Sequence, residues 1–194
     1  MIEFDELKAL LNNDRSIRRF DGSREIAPSI LTELVGLTRL CASGRNAQAL
    51  KYRIVSGEEC DLVFPHLKWA GYYTDWDGPD LSQRPVAYLV QCIDTAIAQN
   101  VLCDDGIQLQ AITLGATTLG IGCCIIKAFI AEKIADALAI PDRYKPNYVL
   151  ALGYPAETAK IVDLPVDGDF RYYRDEADSQ CVPKRPADEL IIRR

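Results

Sequence analysis

The sequence contains a single histidine, His66, and this scarcity narrows the chemistry open to the protein. Histidine is the usual side chain for general-base catalysis and metal binding near neutral pH. Hydrolysis by a histidine-assisted nucleophile and catalysis at a histidine-bound metal are therefore disfavoured, and no metal site is expected. The sequence also lacks a G-x-S-x-G elbow and a Walker loop, and Gly120 and Gly122 lack the third glycine of a dinucleotide fingerprint.

Excess positive charge and paired cysteine motifs are missing as well. With 22 lysine and arginine residues against 28 aspartate and glutamate residues, the net charge is -6. A nucleic-acid partner is not expected, because such binding needs many cations on one face. None of the seven cysteines forms a C-x-x-C pair, and the chain starts without the pattern of a secretion signal. We therefore expect a cytoplasmic protein with mostly buried, reduced cysteines.

The longest stretch without a formal charge is residues 106–126. Its length suits a membrane span, but its glutamines, threonines and glycines make transfer into lipid unfavourable. It predicts a buried helix running into a strand, and no membrane association is expected.

Periodicity elsewhere predicts helices and strands in a layered α+β or α/β domain. We predict one domain over residues 1–194, with residues 155–194 as an extended C-terminal arm that packs over another part of the protein or a second subunit. The predicted helices cover residues 4–11, 101–119 and 130–138, and a further helix begins at residue 28. The predicted strands cover residues 52–55, 85–93, 124–126 and 148–153.

Residues 15–20, RSIRRF, form an arginine segment between the first two predicted helices. Arginine forks bind phosphate oxygens in a bidentate way, and a serine hydroxyl adds a donor. Arg15, Ser16 and Arg18 predict a phosphate cradle, although a solvated surface turn is the alternative. A second basic pair, Lys184 and Arg185, lies between two prolines and is either another arm to the same anion or a charge pair of the tail.

Residues 43–48, SGRNAQ, form an amide turn before a strand. The side chains of Asn46 and Gln48 carry donors and acceptors suited to a flavin edge or a ribityl chain, with a helix cap as the alternative. Four aromatic residues between Trp69 and Trp76 form an aromatic loop that predicts either a lid over a planar substrate or a packed surface loop. The adjacent Cys123 and Cys124 leave a thiol redox protein as a further alternative.

Five segments together resemble the nitroreductase family of FMN-dependent oxidoreductases. They are RSIRRF at 15–20, SGRNAQ at 43–48, LGIGCC at 119–124, ALGYP at 151–155 and PKRP at 183–186. Ala49 and Leu50 depart from the family pattern after the glutamine, where proline and an aromatic residue are frequent, and Arg45 occupies a usually smaller position. We expect these departures to affect the shape of the active-site pocket rather than flavin binding.

The resemblance implies an α+β fold with a central, mostly antiparallel sheet of about four to five strands, flanked by helices, in an intertwined homodimer. It implies FMN at the dimer interface, with no catalytic acid or base side chain required. The implied FMN contacts are Arg15, Ser16, Arg18, Asn46, Gln48, Gly122, Cys123, Lys184 and Arg185, of which Gly122 and Cys123 would approach the flavin through their backbone.

The activity that this resemblance implies is an oxidoreductase that uses NADH or NADPH. It would reduce nitroaromatics, quinones or other small electron-poor acceptors by ping-pong hydride transfer. A non-catalytic flavin-binding or sensor protein is the alternative, suggested by the substituted Ala49 and Leu50.

Overall fold

A four-stranded antiparallel sheet lies at the centre of the computed structural model, which describes residues 2–193. Its strand order is β1-β2-β4-β3, and the inner strand β2 is buried along nearly its whole length. The strands are β1 (Leu50–Ser56), β2 (Ala87–Asp94), β3 (Gly122–Ile126) and β4 (Tyr144–Gly153). Each predicted strand is thus present, and its edges differ from the prediction by a few residues.

Helices cover both faces of this sheet. They are α1 (Phe4–Asn13), α2 (Pro28–Gly36), α3 (Cys60–Val63), α4 (Asp104–Thr118) and α5 (Ala131–Ala137). Pro28 occupies the first turn of α2, where its missing N–H costs nothing. Gly120 follows α4 with φ of 71°, the left-handed conformation that glycine adopts freely when a helix ends. The predicted α+β class, an antiparallel sheet flanked by helices, is confirmed.

Side-chain alternation divides the core between the two faces of the sheet. Leu89, Cys123 and Leu152 pack with α2 and α4, whereas Tyr88, Cys124 and Ala151 pack with α5 and the aromatic loop. Residues 106–126 form most of α4 and the whole of β3, as predicted. Within residues 2–193, no helix combines the length and the apolar character needed to cross a bilayer.

The C-terminal arm contains a small sheet that the sequence pattern did not predict. Its strands are β5 (Ala159–Asp163), β6 (Tyr173–Arg174) and β7 (Gln180–Lys184), in the order β5-β7-β6. β5 and β7 are parallel, and β6 is antiparallel to β7. The arm returns to the arginine segment, and this return creates the site described next. Met1 and Arg194, the ends of the predicted domain range, lie outside the described residues.

A basic pocket as the candidate functional site

The arginine segment and the C-terminal arm meet at a cavity of about 270 Å³, called the basic pocket below. Its lining residues are Asp14, Arg15, Ser16, Arg18, Gln110, Thr113, Cys123, Ile125, Tyr172, Val182 and Lys184. Arg15, Ser16, Arg18, Cys123 and Lys184 are among the predicted FMN contacts. Four other cavities, of about 330 to 430 Å³, are larger, but each contains at most two lysine or arginine side chains. Charge rather than size therefore singles out the basic pocket.

Two glycines let the arginine segment lie directly across the ends of β3 and β4. The amide of Ile17 donates to the carbonyl of Cys123 at 2.8 Å. A Cβ at Gly122 would lie 2.8 Å from Cγ1 of Ile17, and a Cβ at Gly153 would lie 2.8 Å from Cδ1 of Phe20. Gly122 and Gly153 are also register partners between β3 and β4. These glycines therefore provide the space for the buried Ile17 and Phe20 that anchor the segment.

A buried carboxylate, Glu157, fixes the backbone of the arginine segment. It accepts hydrogen bonds from the backbone amides of Arg18 and Arg19, and its side chain is 2% exposed. Arg174 pairs with Glu157, and Asp178 pairs with Arg19 at 2.6 Å. Arg19 is thus neutralised within a structural network. Sequence reasoning missed Glu157, because nothing in its local pattern marks it.

Three cations of the basic pocket remain without a carboxylate partner. Within residues 2–193, no Asp or Glu oxygen lies within 4.0 Å of a side-chain nitrogen of Arg15, Arg18 or Lys184. Arg15 Nη2 donates to the carbonyl of Leu11 at 2.8 Å, but its buried Nε has no partner in the described part of the chain. The Arg18 guanidinium lies 4.7 Å from the ring centre of Tyr172. A buried donor without an acceptor is costly, and an anion in the pocket would supply an acceptor to these donors.

The two adjacent cysteines are poorly suited to thiol chemistry. Cys123 faces the basic pocket and Cys124 packs on the other face of the sheet, and both are nearly fully buried. Burial raises the pKa of Cys123 well above its ordinary value, with a further contribution from the Asp14 carboxylate. Burial also raises the pKa of Cys124 to about 11. Because the thiolate is the reactive form, these observations argue against the thiol redox alternative.

The amide turn does not line the basic pocket within the same chain. The Ser43 hydroxyl and the Gly44 amide donate to the Asp104 carboxylate at 2.6 and 2.8 Å, which ties the turn to the first residue of α4. Asn46 and Gln48 have φ values of 55° and 52°, in the left-handed region. Such backbone strain persists where tertiary contacts enforce it and is frequent at functional sites.

Two further predicted contacts lie outside the lining of the basic pocket. Gly122 is covered by the side chains of Ile17 and Pro155. Arg185 is exposed and pairs with Glu189 at 3.1 Å. The FMN contacts of Asn46, Gln48, Gly122 and Arg185 stay predictions, as do those of the five predicted residues that line the pocket.

The aromatic loop packs against the C-terminal arm next to the basic pocket. The ring centres of Tyr72 and Tyr73 lie 4.8 and 5.3 Å from that of Tyr172, which lines the pocket. The Tyr73 hydroxyl donates to Gln180 Oε1 at 2.9 Å, and Trp69 is buried in the core. These contacts describe a packed loop, while its movement as a lid stays a prediction.

Known proteins share this fold. A model described as the nitroreductase family matches residues 93–154. A nitroreductase family protein from Streptococcus pneumoniae is 18% identical, with 97% of this chain and 100% of that chain covered and a TM-score of 0.70. A nitroreductase family protein from Clostridium difficile is 17% identical, with 94% and 95% covered and a TM-score of 0.66. This chain has the nitroreductase fold.

The predicted resemblance to the nitroreductase family is thereby confirmed. A third similar structure, an FMN-dependent nitroreductase from Clostridium difficile, is 21% identical, with 86% of this chain and 97% of that chain covered and a TM-score of 0.64. No curated protein matches the sequence. Residues 93–154 contain α4, β3 and β4, and the matched residues that line the basic pocket are on α4 and β3. The arginine segment and the C-terminal arm lie outside the matched residues.

Proposed function

We propose that this chain is an FMN-dependent oxidoreductase that uses NADH or NADPH to reduce nitroaromatics, quinones or other electron-poor acceptors. The observation that carries the proposal is the convergence of Arg15, Arg18 and Lys184, all without carboxylate partners, on one pocket. Support also comes from the similarity to solved proteins described as an FMN-dependent nitroreductase and as an NAD(P)H:FMN oxidoreductase.

The donors of the basic pocket fit a phosphate monoester. Guanidinium and ammonium groups form short, charge-assisted hydrogen bonds with phosphate oxygens. Arg15 offers a buried Nε without an acceptor, and Ser16 offers a hydroxyl beside it. In this proposal Arg15, Ser16, Arg18 and Lys184 hold the phosphate end of FMN.

The protein side chains then bind and orient, while the cofactor carries the redox chemistry. Bound FMN would supply a hydride acceptor for the nicotinamide and a hydride donor for the second substrate, in a ping-pong sequence. The packed contact of Tyr172 with Arg18 restrains the guanidinium at the pocket wall. Cys123, kept neutral by burial, adds no competing charge there.

A second copy of the chain would complete the site. The pocket volume of about 270 Å³ lies just below the usual range for small-molecule sites, about 300 to 1,000 Å³, so much of a flavin would extend beyond the pocket. Apolar side chains on the elements that line it are exposed: Ile125 (43%) in β3, Ile107 (39%) in α4 and Leu119 (49%) directly after α4. We propose that a homodimer covers this surface and that its partner supplies the amide turn with Asn46 and Gln48.

The test is a visible absorption spectrum of the purified protein, followed by titration with FMN. A flavin band, or saturable FMN binding, is expected. Anaerobic addition of NADH or NADPH should then bleach the band, and an acceptor such as a quinone should restore it. Protein that neither contains nor binds FMN would refute the proposal, whereas bound FMN that neither nicotinamide bleaches would favour the non-catalytic flavin-binding alternative. Light scattering measures the mass of the oligomer.

A further inference from the structure

One acidic side chain, Asp14, lies in the basic pocket among the three unpaired cations. A carboxylate in such a place would ordinarily pair with the nearest cation. Yet no lysine or arginine nitrogen of residues 2–193 lies within 4.0 Å of the Asp14 oxygens. The position of Asp14 therefore has another cause.

That cause is a pair of donors on α4. Gln110 Nε2 donates to Asp14 Oδ2 at 2.6 Å, and the Thr113 hydroxyl donates to the same oxygen at 2.7 Å. Gln110 and Thr113 are separated by one helical turn, so both face the same side of α4. Their two hydrogen bonds hold the carboxylate away from the cations. The second oxygen, Oδ1, accepts no hydrogen bond from the part of the chain that the structure describes.

The pocket thus presents two kinds of surface side by side. The cations and Ser16 donate hydrogen bonds and attract an anion, while Asp14 Oδ1 can only accept, because an ionised carboxylate has no hydrogen to donate. The dianion of a simple phosphate monoester such as methyl phosphate offers only acceptors and would be repelled by Asp14. A ligand with hydroxyl groups next to its phosphate satisfies both surfaces at once.

We infer that Asp14 is a specificity-determining residue that accepts a hydrogen bond from a hydroxyl group of a polyol phosphate. The inference rests on the proposed function, since the ribityl phosphate of FMN belongs to this class. Asp14 selects for the polyol portion, whereas Arg15, Arg18 and Lys184 bind any phosphate. Gln110 and Thr113 are positioning residues that keep the carboxylate available.

The experiment measures binding of ribitol 5-phosphate and methyl phosphate directly by titration calorimetry at about pH 8, where both phosphates are dianions. A hydrogen bond to a charged group corresponds to about a tenfold or greater difference in affinity. The intact protein should therefore bind ribitol 5-phosphate at least about tenfold more tightly than methyl phosphate. Asp14→Ala should reduce this ratio about tenfold, chiefly through weaker binding of ribitol 5-phosphate, and should leave or improve binding of methyl phosphate.

Two further variants keep the test decisive. Asp14→Asn retains the shape of the side chain and one acceptor oxygen, and it should lower the affinity ratio by about threefold or more. If Asp14→Ala fails to fold, Asp14→Asn provides the test. Asp136→Asn changes the net charge equally at an exposed position outside the basic pocket, and should leave the ratio unchanged.

The inference is overturned if the intact protein shows no preference for ribitol 5-phosphate, or if the Asp14 variants keep the ratio within twofold. This outcome differs from failure of the proposed function, which would appear as absence of FMN binding in a separate titration. FMN binding with an unchanged polyol preference in Asp14→Ala would leave the proposed function standing and refute the role of Asp14.

Discussion

Replacement of Arg15 by alanine is the most direct test of the basic pocket. Its guanidinium donates to the Leu11 carbonyl through Nη2, and its buried Nε has no partner within the described chain. If Nε donates to a ligand phosphate, Arg15→Ala removes at least one charge-assisted hydrogen bond, worth about 1.5 to 3 kcal/mol. FMN affinity should then fall by a factor of about 10 to 150. Quenching of flavin fluorescence on binding provides the assay.

Two controls separate the phosphate contact from general effects of charge and stability. Arg15→Lys keeps the charge but loses the fork geometry, so its affinity should lie between those of the intact protein and Arg15→Ala. Arg39→Ala removes the same charge at a position outside the pocket and should leave affinity unchanged. Arg15→Ala loses the bond to Leu11 but also removes the buried Nε that has no acceptor in the described chain, so the stability of the ligand-free protein should change by less than about 1.5 kcal/mol. Equal FMN affinity in Arg15→Ala and the intact protein would refute the reasoning.

Three other substitutions test the framework around the pocket. Glu157→Gln removes the buried carboxylate partner of Arg174, which keeps Asp178 at 3.3 Å. We expect a loss of about 1 to 3 kcal/mol in the free energy of unfolding, measured in urea, and a loss under about 0.5 kcal/mol would contradict this. Gly153→Ala should cost about 1 to 3 kcal/mol through overpacking, whereas Gly36→Ala, with open space around it, should be neutral or stabilising. Hydrogen bonds lower the pKa of Asp175 to about 2, so its contribution to stability is complete above pH about 4 and is lost as the pH falls towards 2. The melting temperature should accordingly fall less between pH 5 and pH 2 in Asp175→Asn than in the intact protein, and parallel curves would contradict the expectation.

Much of the fold could be predicted because its signals are local. The apolar runs that become β1 to β4 and the helical spacing around α2 and α4 reflect burial within single elements. The small sheet of the C-terminal arm could not be predicted in this way. Its strands are short, and the exposure along β5 and β7 does not alternate regularly. Pairing across the arm, rather than burial of one face, determines where these strands lie.

The same difference between local signals and long-range contacts separates the site residues that could be predicted from those that could not. Arg15, Ser16 and Arg18 are close neighbours along the chain, so the sequence alone indicates their shared chemistry. Their meeting with Lys184 depends on the path of the C-terminal arm, which no local pattern reveals. Asp14 and Glu157 carry no local signal, because each acquires its role from partners elsewhere in the chain, such as Thr113 for Asp14.

Whether an arginine can bind a ligand in the pocket depends on whether a carboxylate of the protein already pairs with it. Arg18 and Arg19 are adjacent and chemically identical, but Arg19 is neutralised by Asp178 whereas Arg18 faces the pocket without a carboxylate. The pocket therefore holds three cations and one carboxylate, a local charge of about +2 in a chain of net charge -6. A phosphate monoester carries about -1.5 to -2 at neutral pH. The local charge matches one such group and no more, so a pyrophosphate would leave a negative charge without a partner beside Asp14.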